Sequence, residues 1–198
     1  MSIPVGTKFH GVASSVDTVD KGSALIDSLR EAYTIEDFAS YFTTPYQGWA
    51  RYDDTVYTDA NKLVLADGVE TVAPNNAGNI VRSPQNLDFY DSATQRILGL
   101  NNNDVYILTF AFNVQAPNAN QTHLDWRLVG SGDISRVAGV IPFHKGNNIP
   151  QAEQVVAQYY TDPTFVANGV QLKFTADGGT VSVWDMIYFI QRTQGYGQ

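Results

Sequence analysis

The chain has 198 residues, 43% of them hydrophobic and 16% charged, with a formal net charge of −8. That length allows one sizeable core, and the composition excludes a disordered or collagen-like chain. No basic cluster occurs, which argues against nucleic acid as a partner. No cysteine is present, which excludes a disulfide framework and cysteine-ligated zinc.

The first twenty residues read as extended, and they lack the layout of a secretory signal. No apolar run reaches membrane-spanning length, so no membrane partner is expected. Residues 23–42, SALIDSLREAYTIEDFASYF, predict one or two short helices. Thr34 is a candidate cap, and Ile35, Phe38, Ala39 and Phe42 follow at helical spacing. Residues 1–44 therefore read as an arm too small to fold alone. Its apolar Ile3, Val5, Phe9, Val12 and Val16 are expected to dock on another protein.

From residue 45 onward the signals are strand. Lys62–Val72 carries two short β-rich runs around Asp67-Gly68, read as a hairpin turn. Asp104–Val114 puts Tyr106, Leu108, Phe110, Phe112 and Val114 on one face. HLDWRLVG turns Leu124, Trp126 and Leu128 inward, and His123, Asp125 and Arg127 outward. RVAGVIPF, VVAQYY and FVANGVQLKF supply further strands, with Asn168-Gly169 as a second turn. The last strand, GGTVSVWDMIYFIQR, is apolar on both faces. Short strands at regular spacing predict an all-β jelly-roll sandwich over residues 45–198.

The last strand raises the question of what covers its second face. Left bare, Trp184, Met186, Tyr188 and Ile190 would present roughly 500 Å² of apolar surface, more than a soluble monomer usually shows. Either the amino-terminal arm covers that face, or the face is an oligomer interface near a symmetry axis. The second reading makes these four residues the expected trimer interface.

A search for chemistry assembles no catalytic site, and no cofactor or metal is expected. His10, His123 and His144 form no close pair, and a solvent-facing reading is preferred for His123 and His144. Asp53 and Asp54, adjacent on a strand, face opposite ways and cannot act together as glycosidase carboxyls. Asp88 with Asp91 is the other acid pair. Asn101–Asp104 reads as a turn in preference to a calcium loop, and Gly130–Asp133 as a turn in preference to a phosphate cradle. Asp185, alone among apolar residues, is expected to be buried with an Arg or backbone donors beside it.

Two parts of the chain carry a resemblance. IPVGTKFHGVASSVDTVDKGSA with REAYTIEDF resembles an amino-terminal segment shared by structural proteins of marine tailed bacteriophages. WARYDDTVYT, FYDSATQRI, YYTDPTFVANGVQLKF and VWDMIYFIQR resemble phage virion domains of the trimeric jelly-roll type, related to tumour necrosis factor and complement globular heads. The resemblance implies a homotrimer whose last strand lies in the inner sheet near the threefold axis. It also implies attachment through the arm to capsid, portal-region or tail components, and a virion location reached by assembly in the host cytoplasm and release by lysis. No fibre shaft precedes the strands, which favours capsid decoration or a fitting protein. The competing expectation is a fibre or adhesin module that binds host surface glycan.

Overall fold

The structure, a computed structural model, describes residues 48–84 and 86–194. The predicted arm and helices, the five apolar arm residues Ile3, Val5, Phe9, Val12 and Val16, and the boundary expected at residue 45 lie outside the described residues.

Two antiparallel sheets face each other. The larger runs in the order β10 (Gln151–Tyr160), β7 (Val105–Gln115), β12 (Val181–Gln194), β1 (Gly48–Asp53) and β4 (Asn79–Arg82), and β2 (Leu63–Leu65) also pairs with β12. The smaller runs β3 (Glu70–Val72), β11 (Gln171–Asp177), β8 (His123–Val129) and β9 (Ser135–Pro142). A short ladder joins β5 (Tyr90–Asp91) to β6 (Arg96–Ile97). The pairings β1·β12, β3·β11, β7·β10 and β8·β9 nest inside one another along the chain. A long antiparallel ladder rolled into two layers gives this pattern, and it is the jelly roll the sequence predicts.

The cleanest alternations in the sequence became the core strands. In β7 every second residue from Tyr106 to Val114 is buried, and in β8 so are Leu124, Trp126 and Leu128. Phe112 of the larger sheet meets Phe174 of the smaller at 5.0 Å between ring centroids. Tyr188 sits among Phe110 at 5.0 Å and Tyr90 at 5.3 Å, with its hydroxyl donating to the Ala73 carbonyl at 2.7 Å. That bond satisfies a polar tip which apolar surroundings would otherwise leave unpaired.

Two local expectations are corrected. Asp67-Gly68 does not close a hairpin: β2 pairs with β12 in the larger sheet and β3 with β11 in the smaller, so the turn carries the chain between layers. Phe165–Asn168 is not strand but part of α1 (Pro163–Asn168). Asp162 caps this helix by accepting from the Phe165 N–H at 2.7 Å, and Pro163 occupies its first turn. Gly169 ends it at φ +66, a left-handed conformation that glycine adopts without penalty.

Candidate functional site

The functional reading turns on β12, which carries a β-bulge between Trp184 and Ile187, with Asp185 at φ +52. The extra residue shifts the alternation by one. Val181 and Val183 face the core before the bulge; Met186, Tyr188 and Ile190 face it afterwards. This corrects the expected interface. Met186, Tyr188 and Ile190, expected on an outer face, are core residues of their own sandwich. Trp184 is also buried, but outside the main core, with the Lys62 ammonium 4.0 Å from its ring centroid.

The bulge corrects Asp185 as well. It is exposed, not buried. Its carboxylate accepts from the Asn113 side chain at 3.0 Å, and its N–H donates to the Tyr57 carbonyl at 2.9 Å. The buried ion pair lies further along the strand. Arg192 and Asp104 meet at 2.7 Å with side chains 2% and 0% exposed. Asp104 also accepts from the Asn101 N–H at 3.0 Å, so it builds the Asn101–Asp104 turn from within.

The apolar surface of the larger sheet is therefore the opposite set of side chains. Cross-strand register aligns Val156, Thr109, Phe189, Arg51 and Val81 in one row across the outer face. Neighbouring rows hold Ile107 with Gln191 and Trp49, and Ala111 with Ile187 and Asp53. Phe189 stacks on Trp49 at 5.7 Å. Towards the edges apolar groups stand open: Val156 is 58% exposed, Tyr160 65% and Val81 46%. Along its ten residues β10 pairs only with β7 among the described strands, which leaves a long sheet edge there.

The outer face of the smaller sheet has the opposite character. Glu70 pairs with Arg127 and, at 2.7 Å, with Lys173; Asp133 pairs with Lys173 at 2.8 Å and with Arg127 at 3.2 Å. The Lys173 ammonium beside Asp133 holds that carboxyl below the ordinary range, and hydrogen bonds to Asp133 and Glu70 push Lys173 up. Asp133 belongs to the Gly130–Asp133 turn, so the group presented there is itself an anion, unsuited to cradling phosphate. The outer face of the larger sheet mixes apolar groups with Arg51, Asp53 and Gln191, and that of the smaller sheet carries the paired charges beside an exposed Val140.

The remaining acids act as local acceptors. Asp53 accepts from Arg51 at 2.6 Å, while Asp54 accepts from the Tyr57 and Asn76 N–H groups at 2.7 and 3.0 Å. Asp88 accepts from the Tyr52 hydroxyl at 2.9 Å and pairs with Arg82 at 3.1 Å; Asp91 accepts from Thr94 at 2.6 Å. Burial, together with Asp88, pushes the Tyr52 hydroxyl up to about 12. His144 is exposed, and His10 lies outside the described residues. His123 is half-exposed and stands between Asp125 and Asp177, a neighbour that the sequence analysis did not bring to it. A pocket of about 370 Å³ is lined by Gly48, Trp49, Ser83, Pro84, Gln191, Arg192 and Thr193.

No family model matches the chain, and no curated protein matches it. Solved structures similar to it include an Eiger tumour necrosis factor from S. frugiperda, at 10% identity and a TM-score of 0.42, covering 77% of this chain and 96% of that one. PRD1 vertex protein P5 is similar at 11% identity and a TM-score of 0.43, covering 74% and 72%. The enzymatically active domain of bacteriophage CBA120 tailspike protein 4 is similar at 14% identity and a TM-score of 0.31, covering 75% of this chain and 20% of that one. Overlaps of so low a score carry no functional argument, and the jelly roll stands on the nested strand pairings themselves.

Proposed function

We infer that the protein is a structural component of a phage virion, a homotrimeric jelly roll of the capsid-decoration or fitting type. The carrying observation is the contrast between the two outer faces. A charged ladder on one side is at home in water, whereas the exposed apolar groups beside the open β10 edge, Val156 and Tyr160, are stabilised by a like surface packed against them. Three copies meet through Val156, Tyr160, Ile107 and Phe189 around a threefold axis, with β10 at the seam. The charged face then points outward, and the net charge of −8 suits a position away from packaged DNA. Residues 1–44, with Ile3, Val5, Phe9, Val12 and Val16, attach the trimer to a capsid, portal-region or tail protein. The larger sheet supports this role by its apolar outer surface, and the phage assignment rests on the sequence resemblance. No enzymatic step is part of the proposal.

A second reading has one observation in its favour. Tyr159 and Tyr160 stack at 6.0 Å and 14° at the end of β10, and a ring pair of that kind can bind a sugar face. In that case the module recognises host glycan. Protein analysis and antibody labelling of purified particles test the leading reading. Finding the chain on the particle in multiples of three supports it, and particles that lack the chain refute it.

A further inference from the structure

We propose that His123, Asp125 and Asp177 form a divalent-metal site on the charged face, suited to zinc or a similar late first-row ion. Antiparallel register places Asp177 directly opposite His123, and Asp125 lies two residues along on the same face of β8. The His123 Nε2 atom is 3.2 Å from Asp177 Oδ2 and 3.5 Å from Asp125 Oδ1. Both separations are at or beyond the long end for a good N–H···O hydrogen bond. They lie close to the edges of a tetrahedral ion shell, about 3.3–3.6 Å for metal–ligand bonds of about 2.0–2.2 Å, the shorter falling just inside.

A second observation points the same way. The Asp125 Oδ1 atom is shielded from solvent and accepts no hydrogen bond among the described residues. An anionic oxygen in that state calls for a cation. The other acids of this face already have theirs: Glu70 and Asp133 are matched by Arg127 and Lys173. Asp125 and Asp177 have ion-pair contacts only with His123 among the described residues. A neutral imidazole can donate one proton to two carboxylates, so one oxygen stays unmatched. A divalent ion bound by Nε2 and one oxygen of each acid satisfies all three ligands. One coordination position remains for water or for a group from a neighbouring protein. The exposed Asp177 side chain has freedom to close onto the ion.

The test uses the full chain and two probe ions. Equilibrium dialysis against micromolar Zn²⁺, followed by metal analysis, should retain one ion per chain, and Co²⁺ should give the visible bands of a low-symmetry four-coordinate site. His123→Ala should abolish the Co²⁺ bands, and Asp177→Asn should weaken Zn²⁺ binding by about tenfold or more. Both substitutions lie on an exposed polar face, and circular dichroism checks that the fold survives. A wild-type chain that retains no ion overturns the proposal. So does Zn²⁺ binding that is unchanged in His123→Ala and Asp177→Asn alike.

Discussion

Removing the charge of Asp104 without changing its shape should destabilise the sandwich strongly. In Asp104→Asn the Arg192 guanidinium, 2% exposed, loses the carboxylate 2.7 Å away and stays buried. Breaking such a pair from one side costs about 3–5 kcal/mol, since the remaining buried charge loses the carboxylate that offsets its desolvation. With a urea slope of about 2 kcal/mol/M, a 4 kcal/mol loss moves the unfolding midpoint down by about 2 M. The double variant Asp104→Asn/Arg192→Met should recover much of that loss, because a thioether in place of the guanidinium leaves no stranded charge. Urea unfolding followed by tryptophan fluorescence reads both variants. A midpoint within about 0.3 M of wild type for Asp104→Asn would refute the reasoning, as would a double variant weaker than the single one.

Three further outcomes are expected. Gly178→Ala should cost several kcal/mol, because Gly178 sits at φ +81 and a Cβ there would meet the Gln121 carbonyl oxygen at 1.9 Å; thermal unfolding should show a large drop in Tm. Asp162→Ala should cost about 1 kcal/mol by leaving the Phe165 N–H uncapped, readable as a small fall in the urea midpoint. Stability should fall as pH rises above about 10. Tyr52 is raised in the fold from 10.0 to about 12, and Tyr90, Tyr106 and Tyr188 are raised too, so the folded state holds its phenol protons more tightly than the unfolded chain. That contribution is whole below pH 10 and is lost as pH climbs through the folded values, which urea midpoints between pH 8 and 12 will follow.

What was legible in the sequence was the part governed by local alternation. β7 and β8 each have one apolar and one more polar face, so their period fixes which side is inward. β12 is apolar on both faces, and there the period fixes nothing. The phase is set by Asp185, whose left-handed backbone inserts one extra residue, and an acidic residue gives no pattern signal for a bulge. That single step moved Met186, Tyr188 and Ile190 from an expected interface into the core. α1 was misread because VANG looks like a strand end followed by a turn, although the Asp162-Pro163 start signal stands just before it. The neighbours of His123 depend on the register of β8 against β11, strands far apart in sequence, and no local pattern carries that.

The account rests on the outer face of the larger sheet being covered by copies of the same chain. Sedimentation equilibrium of the full chain measures this most directly. The prediction is three times the 21.8 kDa chain mass at micromolar concentration, falling to a folded single chain when the 58%-exposed Val156 is changed to Lys. A wild-type monomer, or a trimer indifferent to Val156→Lys and Tyr160→Lys together, would contradict it.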